Sequence, residues 1–390
     1  MIERRSPRSV RGDFRVALLL ATAFVALNFA ILATGGVRVQ NDSHVFIRGA
    51  DNLLSGRPLE GKQSAYGSYL FLVALSKWAG LGLAGVIATQ IGAAGLAGVA
   101  LYDLGRRLGG TWAGAIAAAT LVANPDVARW HAYVYTDSLY ISLVVLAAWG
   151  IDRAADRRGS WYALASAVVL AAASVRPNGW LLLPLAAGYW ILRALPGRWP
   201  QRLGIAGVAV AFGLGALLLP VFRDAVQRES PDRLWRVGEV VRGYPEGRLI
   251  MPADPAPEPG WPAAFGYVLQ HPFASARLAA TRVLVELAHV RPFYSTWHNI
   301  AIVMGLAPLY LLAVLGFLGV HTEPLARLLV AVTGAHLLVV ALTFANWDGR
   351  FLLHVLPLIG TLAGCGGAQI VNVLSALPAL IPRRGRGSLV

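Results

Sequence analysis

Apolar stretches of membrane-spanning length recur along the whole chain, and they limit the folds that it can adopt. A helix needs about 20 mainly apolar residues to cross a bilayer. Only 14% of the residues are charged, whereas roughly a quarter are charged in soluble domains. We therefore predict an all-α polytopic membrane protein, with residues 1–390 as a single integral membrane domain. The stretches that predict about ten spans are 14–36, 82–104, 111–125, 137–151, 160–175, 178–192, 203–222, 300–320, 325–345 and 351–374.

Arginines in the short loops predict the orientation of these spans, because cytoplasmic loops are enriched in Lys and Arg. The number of spans and their orientation depend on the segment 66–80. If this segment crossed the membrane, every later loop would lie on the opposite side. If it lies along the outer face, all the arginine-rich short loops, the N-terminus and the tail 383–390 are cytoplasmic. This pattern also accounts for the net charge of +14 without a nucleic-acid partner. We predict a multi-pass protein of the plasma (cytoplasmic) membrane with both termini inside.

Two long segments are then predicted at the outer face. The first outer loop, 37–81, would contain juxtamembrane helices, and the long outer loop spans 223–299. Within the latter, the proline-rich stretch 252–262 predicts extended chain, and 273–290 predicts a helix with Pro272 in its first turn. The single cysteine, Cys365, lies in an apolar stretch and excludes an intrachain disulfide.

Three acids lie at predicted outer ends of spans. Asp42 directly follows the first span, where nothing about a spanning helix requires a carboxylate, and we interpret it as a catalytic base. The alternative for Asp42 is a solvated loop acid or the N-cap of a helix that begins at Ser43. Asp137 begins a span and could cap it, which does not exclude catalysis. Asp348 has the same two interpretations, with Arg350 as an ion-pair partner.

Two arginines are also predicted at the outer ends of spans, against the usual bias of arginine toward the cytoplasm. Arg176 lies in the short turn "VRPNGW", and Arg350 begins the last span. An arginine in such a place needs an anionic partner. A lipid phosphate held by the guanidinium group is one candidate, and an ion pair with a carboxylate such as that of Asp348 is the other.

Further polar residues on this face are candidates for contacts to a sugar or an acceptor: His44, Arg48, Tyr66, His131 and Asp348. For His131 and its aromatic neighbours, anchoring at the membrane interface is the alternative. No histidine or acid pair has the close spacing of a helical zinc site. No cofactor is assigned, and Mg²⁺ or Mn²⁺ at Asp42 stays an open alternative.

Six fragments in order resemble the GT-C superfamily of membrane glycosyltransferases. They are similar in particular to bacterial relatives of protein O-mannosyltransferases and of the lipid A aminoarabinose transferase. Ser43 departs from the pattern, because a second acid often follows the first in that family. The fragments are "NDSHVFIRGADNLLSG" (41–56), "SAYGSYLFLVAL" (64–75), "LYDLGRRLGGTWAGAIAAATLVANP" (101–125), "YTDSLYISLVVLAAW" (135–149), "SVRPNGWLLLPL" (174–185) and "WDGRFLLHVLPLIGTLAG" (347–364).

The resemblance implies a GT-C-like bundle with juxtamembrane helices at its outer face, and a polyprenyl-phosphate-linked sugar as donor. The acceptor would be a hydroxyl group of a glycolipid, a cell-wall polymer or a protein. With Asp42 as base and no evident covalent nucleophile, we expect single displacement with inversion. Arg176 and Arg350 would stabilise the departing phosphate, and Asp137 would orient the acceptor or the sugar. The residue pattern does not distinguish one sugar from another.

The alternative function is that of a transporter or lipid flippase that uses the same outer-face charges as a polar pathway. Such a protein would need ionisable groups near the middle of several spans. The predicted spans hold few of these, His336 among them, and this favours the enzyme. A non-catalytic membrane scaffold is a third alternative that the sequence leaves open.

Overall fold

The computed structural model describes residues 7–157, 159–194, 231–253 and 260–380, and these residues are mostly helical. Six helices are long and apolar enough to cross a membrane, which confirms the predicted all-α polytopic class. The predicted span 203–222 and the tail 383–390 lie outside the described residues, and the total of ten spans stays a prediction. The six are Phe14–Gly35, Gly82–Val122, Thr136–Arg157, Thr296–Val320, Pro324–Leu342 and Leu356–Ser375.

The described helices are numbered here in chain order. They are α1 (Pro7–Gly35), α2 (Ser43–Leu54), α3 (Gly67–Trp78), α4 (Gly82–Val122), α5 (Pro125–His131), α6 (Thr136–Arg157), α7 (Ser160–Val175), α8 (Leu182–Ala194), α9 (Pro231–Arg236), α10 (Trp261–Gln270), α11 (Pro272–Ala288), α12 (Thr296–Val320), α13 (Pro324–Leu342), α14 (Arg350–Leu353) and α15 (Leu356–Leu380). Short 3₁₀ turns lie at Gly61–Tyr66, Pro177–Leu181 and Pro245–Gly247.

Helix α4 is a hairpin of two arms, which correspond to the predicted spans 82–104 and 111–125. The chain reverses at Gly109 and Gly110, where Gly110 has a φ of +83° that favours glycine. The arms then lie against each other: a Cβ on Gly98 would lie 2.5 Å from the side chain of Val122. Gly82–Val122 therefore consists of two helices that meet at these glycines, one for each predicted span.

Close packing of small residues holds the centre of the bundle together. Helix α15 packs against both α4 and α12. A Cβ on Gly316 would lie 1.9 Å from the carbonyl oxygen of Leu362, and one on Gly366 would lie 2.1 Å from that of Leu312. Such backbone approach is how helices associate inside a membrane, where the hydrophobic effect gives no preference for helix over lipid.

Helices α2 and α3 form the segment that the sequence assigns to the first outer loop. Helix α3 has 12 residues and is therefore about 18 Å long, too short for a hydrocarbon layer of about 30 Å. This agrees with the prediction that 66–80 does not span the membrane. On α2, Asp51 pairs with Lys77 of α3, which joins the two helices.

Helix α11, within the predicted long loop, has a polar face turned inward. Arg282 and Glu286 are fully buried, whereas Phe273 and Leu284 are exposed. Arg282 donates to backbone carbonyl oxygens of Leu234, Glu239 and Ala341, which ties α11 to the chain around α9 and to the end of α13. An outward apolar stripe suits a helix beside lipid more than one beside water.

At the end of the bundle opposite α2 and α3, arginines and acids form one network. Arg107 contacts both Asp152 and Asp156, Arg153 contacts Asp103, and Arg193 contacts Asp156 at 2.7 Å. These arginines come from three of the loops that the charge pattern groups together. The structure thus brings these arginines together at one end of the helix bundle.

We predict that Gly316→Ala destabilises the bundle, because the new methyl group would overlap the carbonyl oxygen of Leu362. Overpacking of this kind costs about 1–3 kcal/mol, to be measured as a lower melting temperature of the purified protein in detergent. Gly334→Ala on α13 is the matched control, since a Cβ there meets nothing within 4 Å. Equal melting temperatures for the two variants would contradict the packing described.

Candidate active site

Asp137 is the centre of a charged cluster at the end of the bundle where α6 begins. Its side chain is 1% exposed. Arg176, which follows α7, donates to Oδ1 at 2.5 Å, and Nε2 of His354 lies 2.8 Å from the same oxygen. Nη1 of Arg350 donates to Oδ2 at 3.4 Å. One carboxylate therefore joins three segments that are far apart in the sequence.

The two arginines rest on aromatic rings, which shield them from solvent. The guanidinium carbon of Arg176 lies 5.2 Å from the ring centre of Phe351, and that of Arg350 lies 5.3 Å from Tyr135 and 5.5 Å from Trp130. Burial alone would lower the pKa of Arg350, but the carboxylates of Asp137 and Asp348 raise it. Arg350 is therefore charged, as a site for an anion requires.

His354 is a member of this cluster that the sequence analysis missed. It is fully buried between the short helix α14 and α15, and its Nδ1 has no partner among the described residues. Burial, together with the charge of Arg176, lowers its pKa to about 4, so the imidazole is neutral near pH 7. A neutral imidazole donates one hydrogen bond to Asp137 without adding a third positive charge.

Asp42 has a more open environment than Asp137. Its side chain is 36% exposed, and its Oδ1 accepts a hydrogen bond from Nζ of Lys62 at 2.5 Å. Asp42 is the N-cap residue of α2, which begins at Ser43 as the capping alternative expected, but its carboxylate makes no capping hydrogen bond. Lys62 was not among the predicted site residues, because a lysine in a polar loop is unremarkable until the fold brings it to Asp42.

Tyr135 connects Asp42 to the buried cluster. Its hydroxyl oxygen accepts a hydrogen bond from the backbone N–H of Asp42 at 3.2 Å, while its ring lies under Arg350. Tyr66 lies nearby and, like Tyr135, contacts the ring of Phe46. Burial raises the pKa of Tyr66 and of Tyr135, so both hydroxyls remain protonated. The predicted residues Asp42, Tyr66, Asp137, Arg176 and Arg350 thus form one continuous region.

A second buried ion pair holds the segment that carries Arg350. Glu286 of α11 accepts hydrogen bonds from the backbone N–H groups of Asn346 and Leu352, at 2.7 and 2.9 Å. Its neighbour Arg291 lies 3.6 Å away and donates to the carbonyl oxygens of Asn346 and Trp347. Both side chains are fully buried. The loop on either side of Arg350 is therefore fixed by side chains from the long segment.

Four other predicted site residues make no hydrogen bond or ion pair with Asp137 in the part of the chain that the structure describes. His131 is buried with Nδ1 2.8 Å from Oδ1 of Asn28, and burial lowers its pKa to about 4, so it is a packing residue. His44 and Arg48 are exposed on α2. Asp348 is not the ion-pair partner of Arg350, whose carboxylate partner is Asp137. Spacing along the chain could not distinguish these cases, because the helix faces that meet depend on the whole bundle.

The part of the chain that the structure describes has few side chains placed to bind a divalent cation together. It contains no group of three or more His, Cys, Asp or Glu side chains able to hold a metal ion. Asp42, where a divalent cation was left as an open alternative, is paired with the ammonium group of Lys62. The described residues therefore do not fit a cation held by protein side chains alone.

Comparison with known proteins agrees with this architecture. The family model for dolichyl-phosphate-mannose-protein mannosyltransferases matches residues 68–220, a region that includes Asp137 and Arg176. A comparison with curated protein sequences finds no match. Among solved structures, the chain is similar to the archaeal oligosaccharyltransferase AglB from Archaeoglobus fulgidus, solved in complex with an inhibitory peptide and a dolichol-phosphate.

The likeness to AglB extends over 98% of this chain, with a TM-score of 0.52 and 14% sequence identity. The chain has a GT-C fold. This confirms the predicted resemblance to GT-C membrane glycosyltransferases. The chain covers 53% of the length of AglB, so it spans about half of that larger structure.

We predict that the two acids of the site differ sharply in their effect on stability. Asp137→Asn leaves Arg176 and Arg350 without a carboxylate in a buried place, which typically costs about 3–5 kcal/mol. Asp42→Asn removes an ion pair that is partly exposed, which is worth about 0–1 kcal/mol. Thermal unfolding of both purified variants, with wild type as reference, measures the difference. A larger loss of stability for Asp42→Asn than for Asp137→Asn would contradict this prediction.

Proposed function

We propose that this protein transfers a sugar from a polyprenyl-phosphate-linked donor to a hydroxyl acceptor at the outer face of a membrane. The observation that carries this proposal is the pairing, within one GT-C fold, of an accessible carboxylate with a buried, positively charged cluster. Asp42 lies beside Tyr135, and the ring of Tyr135 lies under Arg350. A base and an anion site are thus separated by a single aromatic side chain.

The charge of the buried cluster supports a phosphate as the missing partner. Arg176 and Arg350 share the single carboxylate of Asp137, and the neutral His354 adds no charge. Their direct contacts therefore pair two guanidinium groups with one carboxylate, which leaves donor groups for a further anion. In addition, Nε of Arg350 is buried without a hydrogen-bond partner among the described residues. A donor phosphate would supply both the counter-charge and the acceptor atom.

The exposure of the two acids supports Asp42 as the base. Asp137 is enclosed by two guanidinium groups and an imidazole, so we assign it the role of orienting the arginines. Asp42 is reachable by an acceptor, and its contact with Lys62 is itself partly exposed. Lys62 would have to release Asp42 as the acceptor binds, and its ammonium group is then free to face the same phosphate.

The reaction is a single displacement. The acceptor oxygen attacks the anomeric carbon of the sugar while its proton passes to the carboxylate of Asp42. The bond between the anomeric carbon and the phosphate oxygen breaks, and the lipid phosphate leaves with the electron pair. Arg176 and Arg350 stabilise the charge that develops on it. Because no covalent enzyme intermediate intervenes, the configuration at the anomeric carbon is inverted.

The position of the arginine network supports placing the active site outside. The network around Arg107 and Asp156 lies at the end opposite Asp42, and arginine-rich loops favour the cytoplasm. The N-terminus would then be cytoplasmic, because α1 ends just before Asp42. For the transporter alternative, the buried ion pairs of the described residues gather near the helix ends and do not form a path along the spans.

We predict that Asp42→Asn abolishes transfer while membrane insertion and melting temperature stay close to those of wild type. The assay is the purified protein in vesicles with a panel of polyprenyl-phosphate sugars, following loss of sugar from the lipid. Removal of a general base typically slows a reaction by about 10²–10⁴-fold. The matched control is Asp51→Asn, because Asp51 is also half-exposed on α2 and paired with a lysine. Full turnover by Asp42→Asn would remove the base assignment.

We further predict that Arg350→Ala raises KM for the donor more than KM for the acceptor. A hydrogen bond to a charged group contributes about 1.5–3 kcal/mol, which corresponds to about a 10- to 150-fold change. Arg57→Ala serves as control, since Arg57 is exposed in the first outer loop and should leave both constants unchanged. Steady-state kinetics with each substrate varied in turn provide the measurement. If only the acceptor constant rose, the phosphate role of Arg350 would be wrong.

A further inference from the structure

The backbone that carries Arg350 is held by side chains of a segment that is distant in the sequence. Residues 346–352, which we call the Arg350 loop, lie between α13 and α15. They contact side chains of the stretch 286–293, which includes the end of α11 and the chain that follows it. These side chains are Glu286, His289, Arg291 and Phe293.

Glu286 holds both ends of the Arg350 loop at once. Its Oε2 accepts a hydrogen bond from the backbone N–H of Asn346 at 2.7 Å, and its Oε1 accepts one from that of Leu352 at 2.9 Å. The side chain is fully buried, so water does not compete for these bonds. A carboxylate has two acceptor oxygens and no donor, and each oxygen is used here. The separation of the two amides on either side of Arg350 is thereby fixed.

Arg291 holds the first part of the loop and compensates the charge of Glu286. Its guanidinium group donates to the carbonyl oxygens of Asn346 at 2.8 Å and of Trp347 at 3.2 Å. It lies 3.6 Å from the carboxylate of Glu286. The ring of Trp347 also stacks on that of Phe293, with 3.9 Å between the ring centres. The first two residues of the loop are therefore fixed.

His289 constrains the turn directly before Arg350. Its imidazole packs on Gly349, where a Cβ would lie 2.2 Å from Nδ1 of His289. Gly349 also has a φ of +65°, which favours glycine. A side chain at position 349 would therefore push the loop away from the segment that holds it.

The guanidinium group of Arg350 has a different partner. It donates to Asp137 at 3.4 Å, which is long for a hydrogen bond. Within the described part of the chain, the side chains of 286–293 form their hydrogen bonds with the loop backbone and not with this guanidinium group. A small displacement of the loop would break the contact between Arg350 and Asp137. The stretch 286–293 thus acts on this guanidinium group through the loop backbone.

The stability of the fold alone does not require an ion pair at this place. A fully buried ion pair is often no more stabilising than apolar side chains of similar size, because both charges lose their hydration. Glu286 and Arg291 supply what apolar side chains lack, namely hydrogen-bond partners for the amide and carbonyl groups of the loop. Their effect is on the conformation of the loop, and hence on the position of Arg350.

We propose that Glu286 is a positioning residue for the donor phosphate. Its carboxylate keeps the loop in the conformation in which Arg350 faces both Asp137 and an incoming phosphate, while Glu286 itself touches neither substrate. This inference rests on the function proposed above, and it names a determinant of donor affinity that lies outside the charged cluster. Loss of the carboxylate weakens the contact with the phosphate and leaves the contact with the lipid chain unchanged.

Binding of a lipid phosphate tests this role without sugar transfer. Two probes with the same polyprenyl chain, a polyprenyl phosphate and the corresponding polyprenol, are titrated against the full-length protein in lipid nanodiscs. We expect wild type to prefer the phosphate and Glu286→Gln to lower this preference about tenfold, which corresponds to about 1.4 kcal/mol. Glutamine keeps the size of the side chain but presents a donor to one of the two amides. An unchanged preference in Glu286→Gln would overturn the positioning role.

A double-mutant cycle determines whether Glu286 acts through Arg350. Arg350→Ala alone should also lower the preference for the phosphate. In the Arg350→Ala background, Glu286→Gln should cause no further loss, because the group that it positions is absent. A merely structural defect would not depend on the presence of Arg350. Two losses that simply add would therefore contradict the proposal.

Asp152→Asn is the matched control for stability. Asp152 is also a buried acid that pairs with an arginine, Arg107, and it accepts a hydrogen bond from the hydroxyl of Tyr189 at 2.6 Å. It lies at the opposite end of the bundle, so Asp152→Asn should lower the melting temperature and leave the preference for the phosphate unchanged. If this control lost the preference as strongly as Glu286→Gln, the effect would be a general one and the assignment would be wrong.

Gly349→Ala displaces the loop without removing a buried charge, because the new methyl group would overlap the ring of His289. It should also lower the preference for the phosphate, and it takes the place of Glu286→Gln if that variant does not fold. A preference equal to that of wild type would count against the proposal.

The proposed function and the role of Glu286 fail in different ways in this experiment. If wild type does not prefer the polyprenyl phosphate to the polyprenol, the anion site is wrong and both proposals fall. If wild type prefers the phosphate and Glu286→Gln does so equally, only the positioning role is wrong.

Discussion

The carboxylate of Asp137 is the interaction on which the site depends. It begins α6 and contacts Arg176 from the turn after α7, Arg350 from α14 and His354 from the segment before α15. In a region of low polarity, charges are tolerated only when they are paired and hydrogen-bonded. Four segments that diverge within the bundle are thereby held together at one end, and the aromatic rings around the arginines exclude water from the pairs.

A second constraint comes from Glu286 and Arg291, which hold the backbone on both sides of Arg350. The long segment before α12 therefore does more than connect two spans, because its helix α11 turns a polar face inward to fix the loop before α15. Removal of either partner would leave the other charge buried and unpaired, which costs several kcal/mol. The position of Arg350 is thus supported by side chains outside the cluster around Asp137.

The sequence predicted the class of fold and part of the site, for physical reasons that differ. Apolar length alone identifies spans, and arginines at the unexpected end of a span require an anion, which is how Arg176 and Arg350 could be found. Lys62 and His354 could not be found this way. Only their contacts with Asp42 and Asp137 in the folded protein identify them as part of the site. His131 shows the converse, since a polar residue in a predicted turn proved to be buried against Asn28.

The different environments of Asp42 and Asp137 suit the two acids to different roles. A carboxylate enclosed by two guanidinium groups and an imidazole is shielded from an incoming hydroxyl, whereas one that is partly exposed and paired with a partly exposed lysine can exchange partners. Pairs of titratable groups with contrasting surroundings are how proteins separate roles among chemically identical side chains. In the proposed reaction, the buried acid would orient the cations that receive the leaving phosphate, and the accessible acid would take the proton of the attacking hydroxyl. Tyr135, which touches both environments, keeps the two at a fixed separation.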